Sequence, residues 1–447
     1  MTSGTVWRQL LAFALPVLLG EVFQLSYSII DSAIVGRFVG DGALAAVGAS
    51  ETITRVIVGF FTGLSTGCTV IVGIVFGRKD REELKEAVHT IILFSILAGF
   101  VLTGAGIALV DPAIALMDIP QAIRGEARDY LMIYFAGVAG LVLYNTVSGV
   151  LRAVGDSRRP LYYLIFSSVL NTALDVLFVA CFHWGVKGAA FATILAQLIS
   201  AVLCLAQLTL TSEPWKLHWK GKMNRDIISS IFSTGIPIGF QKSIVSFSNV
   251  IVMSHIAYFG TQCLAGWVVY SKISHILTTV TQSITAAETT FVSQNYGAGN
   301  YRRAEDGVRV TLLSAFLIDL VLIAFCLLLR RPFCAFFTDG EETIVYAVRF
   351  VLVIIPFQVA HVFMSTYISV LRGMGKALTG TVLMICGLVG VRQLYLMIIS
   401  RVWNTPITAG LGYPLGWIAS GLFVYLYYVL RMKPAFEQFA ERSPEWN

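Results

Sequence analysis

Twelve apolar stretches of spanning length recur along the chain, and no polar stretch between them is long enough to build a separate water-soluble domain. They lie at roughly 10–36, 43–76, 87–110, 128–151, 160–182 and 187–210, and then, after a polar segment at 211–225, at roughly 227–259, 263–296, 308–329, 343–371, 377–400 and 406–430. A hydrocarbon core about 30 Å thick takes about 20 helical residues, so several stretches have length to spare for tilt or bends. Inside lipid every backbone N–H and C=O must be satisfied by its own segment, which points to helices. The predicted fold is an all-α membrane protein of twelve transmembrane helices. Composition agrees: 13% of residues are charged, against about 25% in a soluble domain. The lipid bilayer is the expected surrounding. The net charge of +6 is ordinary for such a chain and predicts no nucleic-acid partner.

Lys and Arg are unevenly distributed. The termini and the loops after even-numbered helices hold 20 of the 32, from Arg8 through the clusters at 78–85, 152–159, 216–225, 302–309 and 372–376 to Arg431, Lys433 and Arg442. The other side holds eight. The positive-inside rule then predicts both termini in the cytoplasm, and an even helix count agrees. The N-terminal apolar run is too long for a signal-peptide core and is read as a retained first helix. The seven cysteines are scattered and odd in number, with no CxxC or zinc-ligand spacing, and read as small core residues.

The chain repeats itself at an offset of 220 residues. Ala43-Leu-Ala-Ala-Val-Gly48 aligns with Cys263-Leu-Ala-Gly-Trp-Val268, Gly77 with Gly297, and Ser148-Gly-Val-Leu-Arg-Ala-Val-Gly155 with Ile368-Ser-Val-Leu-Arg-Gly-Met-Gly375. Pro16 meets Pro237 at 221. Six helices per half make both halves enter from the same side, a parallel repeat related by an axis along the membrane normal. The expected organisation is an N-lobe at 1–210, a linker at 211–226 and a C-lobe at 227–447.

A charged Asp at the centre of a spanning helix costs about 2.5–3.5 kcal/mol on insertion scales, so ionisable residues in these segments mark ion or substrate pathways by default. Asn171 and Asp175 lie in the fifth segment, four apart and hence on one helix face. Such a pair suits a proton, a small cation or a cationic solute; polar contact between helices is the alternative. The first half also holds Glu21, Asp31, Glu51 and Arg55; the second holds Lys242, Lys272, Glu288, Asp319 and Arg392. Glu51 and Arg55 are spaced to pair with each other. Gln24 and Tyr27 share the face of Asp31, and Pro16 is a hinge or a static kink. Gly59, Gly63 and Gly67 form a small-residue face for close helix contact. The GxSxG pattern at 63–67 lies inside a spanning helix, where it cannot form a nucleophile elbow. No phosphate loop, HExxH or histidine ligand spacing is present. His361 reads as a core histidine or a cavity residue. No enzyme is predicted.

These landmarks together, with Val35-Gly-Arg-Phe-Val-Gly40, Leu151-Arg-Ala-Val-Gly-Asp156 and Leu371-Arg-Gly373, resemble the MATE (multidrug and toxic compound extrusion) transporters of the larger group that includes lipid-precursor flippases. The resemblance covers nearly the whole chain. It implies two six-helix bundles in a V around a central cavity, in a bacterial inner membrane. It also implies a cation site on Asp31, Asn171, Asp175 and Thr193, with Tyr27, Tyr130 and Asn145 nearby. Pro16, Glu21, Gln24, Glu51, His361 and Arg392 join these as cavity or gating candidates. Some members carry a second acidic site on helices 7 and 10; here those positions read Val245, Gln241, Ser246 and His361, which do not reproduce it.

The expected function is a secondary antiporter that exports amphipathic, cationic solutes against H⁺ or Na⁺, acting as a monomer without a cofactor. Two carboxylates held close in a low dielectric cannot both ionise cheaply, so the pair takes up a proton or shares a cation. The alternative is a flippase for a lipid-linked precursor or anionic amphiphile, suggested by Lys242, Lys272 and Arg392.

Overall fold

The computed structural model describes residues 1–117 and 119–434, and the side chains of all of these but Thr52, Arg55 and Val56. The expected pairing of Glu51 with Arg55, and the terminal Arg442, therefore lie outside the described residues. The long helices are α1 Val6–Phe38, α2 Asp41–Arg78, α3 Arg81–Leu116, α4 Gln121–Ala153, α5 Arg158–Cys181, α6 Gly185–Leu210, α7 Arg225–Ala257, α8 Thr261–Gly297, α9 Tyr301–Leu328, α10 Glu341–Gly373, α11 Ala377–Val402 and α12 Pro406–Met432. A short helix, Arg330–Ala335, precedes α10. Among the described residues, eleven helices are long and apolar enough to cross a membrane. The twelfth, α8, is 37 residues long but carries more polar side chains.

The repeat is visible in the backbone. Gly40 and Gly260, at an offset of 220, take φ of 119° and 106° just before α2 and α8. Gly155 and Gly375, at the same offset, take 98° and 74° after α4 and α10. A side chain is strained in this half of φ space, so glycine lets both halves turn the same corner. Side chains complete the helix starts: Asp80 Oδ1 accepts from the amides of Glu82 and Glu83 at α3, and Asp156 Oδ1 from those of Arg158 and Arg159 at α5.

The chain forms two compact units, one of 15–239 and one of 1–14 with 240–447. The expected lobes follow the sequence repeat; the units follow packing, and their boundaries fall within α1 and α7, close to Pro16 and Pro237. The polar segment at 211–225 packs onto the first of these units. Leu217 is buried, Trp215 meets Phe76 edge to face, and His89 Nδ1 lies 2.7 Å from the carbonyl of His218.

Apolar side chains gain little from leaving lipid for protein, so close packing and interhelical hydrogen bonds hold such bundles together. In the unit of 15–239, α4 is central, with α2, α3 and α6 against it. Two of the three glycines of the small face foreseen on α2 meet α7: a Cβ on Gly63 would stand 2.5 Å from the Gly239 nitrogen, and one on Gly67 2.5 Å from Gly235 Cα, whereas one on Gly59 would meet nothing within 4 Å. In the other unit α8 and α10 pack on each other, with α9 and α12 beside them.

Candidate functional site

Among the buried oxygens of the unit 15–239 that no hydrogen bond satisfies, four belong to Asp31, Asn171 and Asp175. Asp175 is fully buried, Asn171 is 3% exposed and Asp31 is 7% exposed. Asp175 Oδ1 and Oδ2, Asn171 Oδ1 and Asp31 Oδ1 all lack a partner. Buried polar atoms are otherwise almost always paired, so such a group needs an explanation. The helices supply the positions. On α5 the i, i+4 spacing puts Asn171 and Asp175 on one face, and the helix widens into a π-helical turn at Val176–Cys181 directly after Asp175. Turns of this kind gather at functional sites. α1 remains helical across Pro16 and carries Asp31 on its far half.

The two carboxylates stand within electrostatic reach of each other although 144 residues separate them, and Glu51 of α2 reaches Asp31. Asn171 Nδ2 donates to Thr193 Oγ1 of α6 at 3.5 Å, and that hydroxyl donates to the Ala189 carbonyl at 3.0 Å. Tyr27 lies within reach of Gln24, Gln197 and Asp31. Tyr130 is buried, close to Asp31 and Glu51, and stacks on Tyr134 with centroids 6.1 Å apart. The acceptors are carboxylate, amide and hydroxyl oxygens, a set suited to a proton or a hard cation and not to soft metals.

Of the candidates named from sequence, Asp31, Asn171, Asp175, Thr193, Tyr27, Gln24, Tyr130 and Glu51 come together by these contacts. Asn145 instead donates to the Leu141 carbonyl of its own helix, beside Leu102, Val138 and Val142. Glu21 is exposed, and Pro16 sits near the junction of the units. Two residues escaped the sequence reading, Gln197 and Tyr134. Each lies one turn from a named residue, Thr193 or Tyr130, and polar i, i+4 partners on an apolar helix were the available signal.

His361 and Arg392 belong to the other unit. His361 Nε2 is 3.4 Å from Ser365 Oγ, and its ring meets Trp417 edge to face at 5.5 Å. Arg392 is fully buried. Its guanidinium donates to Asn249 Oδ1 at 2.9 Å and to Ser248 Oγ, and lies 4.7 Å above the Tyr413 ring. Gln241 Oε1 accepts from Arg372 and Thr381, each at 3.0 Å, and so ties α7 to α10 and α11.

The chain is 26% identical over 436 residues to the probable multidrug resistance protein YoeA of Bacillus subtilis, covering 96% of this chain and 94% of that protein. It is 31% identical over 309 residues to the probable multidrug resistance protein YpnP of the same organism, covering 68% of each. Its fold matches an outward-facing structure of a multidrug resistance MATE family transporter of the MOP superfamily, with a TM-score of 0.90, 20% identity and 97% of both chains covered. The MatE family profile matches twice, at residues 16–177 and 237–397, once in each half of the repeat. The chain belongs to the MatE family of transporters.

Proposed function

We propose that this protein is a secondary antiporter that exports amphipathic, cationic drugs or metabolites in exchange for H⁺ or Na⁺. The coupling ion binds at Asp31, Asn171, Asp175 and Thr193. The names of the two B. subtilis relatives support the export of drugs. The observation that carries the ion site is the set of four partnerless oxygens on Asp31, Asn171 and Asp175, buried where an unpaired acceptor is expensive. An ion there satisfies the oxygens and cancels the repulsion between two carboxylates. Its departure restores the repulsion, so the occupied and empty sites favour different arrangements of α1 and α5. A ligand shifts such an equilibrium only through differential affinity, and this charge difference supplies it. Pro16 removes one amide from the α1 ladder and is the place where that helix yields. The protein works as a monomer in a bacterial inner membrane with both termini in the cytoplasm.

The test is solute exchange in proteoliposomes under separate pH and sodium gradients. Exchange should follow one gradient and fall to background in Asp31→Asn and Asp175→Asn. Wild-type exchange by both variants would remove the mechanism.

Arg392 favours a second reading, export of an anionic amphiphile or flipping of a lipid-linked precursor. Its buried charge meets an amide, a hydroxyl and an aromatic face but no carboxylate among the described residues. A buried cation without a counter-ion suits an anionic cargo. Protection of drug-hypersensitive cells separates the two readings, since only the first predicts it.

A further inference from the structure

The crossing of α8 and α10 holds a carboxyl for which the exchange described above has no use. Glu288 is fully buried, and its Oε1 has no partner. Its Oε2 meets the Ser369 hydroxyl, which also lies 2.8 Å from the Thr366 carbonyl. Ser369 has one hydroxyl proton and can satisfy only one of these acceptors at a time. With a proton on Glu288 both contacts become hydrogen bonds: the carboxyl donates to Ser369 Oγ, and Ser369 donates to the Thr366 carbonyl. Without it, one of the two is lost. Among the described residues no ion pair involves Glu288, so nothing fixed compensates a charge at this depth.

A line of polar groups leads outward. Tyr367 of α10 and Tyr428 of α12 both lie within electrostatic reach of Glu288 and of Glu305 on α9. Their rings are 5.3 Å apart, and the buried Tyr428 hydroxyl has no partner. Glu305 is 22% exposed and pairs with Arg309 at 2.8 Å; Arg309 also reaches Tyr428. Two further charged groups stand against this part of α8, Arg303, which stacks on Phe291 at 5.3 Å, and the Met1 ammonium, which donates to Gln294 Oε1 at 2.6 Å; Tyr425 lies against Tyr367.

The repeat shows that the fold does not require these groups. At the offset of 220, Glu288, Ser369, Tyr367 and Tyr428 correspond to Cys68, Gly149, Val147 and Leu208. Cys68, Val147 and Leu208 are buried in apolar packing, so the same crossing forms without a carboxyl or a phenol. We propose that Glu288 is a second proton-binding site, loaded from water through Glu305 and the hydroxyls of Tyr428 and Tyr367. Each hydroxyl accepts one proton on its oxygen and releases its own, so one proton moves from water to Glu288 and leaves it neutral. The site goes beyond the Asp31–Asp175 exchange and is tested apart from it.

The experiment is infrared titration of the full chain in lipid nanodiscs, in H₂O and D₂O, with the proton as probe. A protonated-carboxyl band that disappears as pH rises should lose one carboxyl's amplitude in Glu288→Gln. It should shift in Glu288→Asp and persist in an Asp31→Asn, Asp175→Asn double variant, even if that variant proves the exchange reading wrong. An unchanged band in a Glu288→Gln protein of wild-type melting temperature overturns the site. So does a Glu288 band of constant amplitude across the pH range in the wild type, which marks a permanently neutral structural carboxyl and needs no variant. After a pH jump, Tyr367→Phe with Tyr428→Phe should slow loading by about a hundredfold, the low end of what a positioned proton carrier supplies. An unchanged loading rate overturns the route.

Discussion

The crossings of α2 with α4 and of α8 with α10 occupy matching places in the repeat but are filled in opposite ways. In the first, Gly149 lies so close to α2 that a Cβ there would come within 2.6 Å of Thr69 Oγ1. In the second, Ser369 stands in its place, and its neighbours are Thr289, the counterpart of Thr69, and the carboxyl of Glu288. The reverse holds for the proposed ion site. Asn171 and Asp175 correspond to Val391 and Tyr395, and Asp31, in the register set by Pro16 and Pro237, to the buried Val252. Each unit therefore buries acid at a position where the other is neutral. A backbone crossing is set by the small or β-branched residues that let helices approach, while ionisable groups are placed on it separately. Function of this kind is carried by the site and not by the frame.

The sharpest way to break the comparison is to neutralise one acid of the unit 15–239. Asp175→Asn should reduce ion-driven exchange in proteoliposomes to background while the protein stays monodisperse. Retained exchange would mean that the four unpaired oxygens have only a structural role. Next in size is a transplant between crossings. Gly149→Ser places a side chain where Thr69 already stands, and overpacking of this sort costs about 1–3 kcal/mol. Thermal melting in detergent should show the loss, whereas Ser369→Gly, which removes atoms from the roomier crossing, should not clash. Equal behaviour would show that the two crossings do not differ in the space they leave for a side chain.

A smaller effect is expected at Arg392. Arg392→Lys keeps the charge but loses the planar stack on Tyr413 and one of the two side-chain contacts. A desolvated cation–π pair is worth about 2 kcal/mol, which bounds the fall in stability. A Lys variant as stable as the wild type would argue that the guanidinium is held for cargo and not for packing. The smallest change is Thr193→Val, which removes the acceptor of the Asn171 amide. Supporting groups of this kind typically change ion affinity by about tenfold, so the concentration giving half-maximal exchange should rise while the maximal rate holds. An unaltered ion dependence would exclude Thr193 from the site.

Much of this was readable from local pattern. Asn171 and Asp175 announce themselves because a four-residue spacing on a helix is a spatial statement, and Gly63 and Gly67 announce a close contact for the same reason. Glu288 was equally conspicuous as a charge inside an apolar run, but its meaning was hidden. Its partner Ser369 is 81 residues away, and no periodicity links them. The segment at 211–225 misleads in the other direction. Its polarity suggests a free linker, yet Leu217 and Trp215 dock it onto the neighbouring helices.

The sequence by itself determined the number and rough positions of the helices, the repeat and which residues share a helix face, because hydropathy and a 3.6-residue period act over one or two turns. Only the tertiary structure decided that Asp31 reaches Asp175, that Glu288 meets Ser369 and that Arg392 lies on Tyr413. Those meetings depend on which helix surfaces fit closely enough to replace contact with lipid, a property of pairs of helices that no single segment contains.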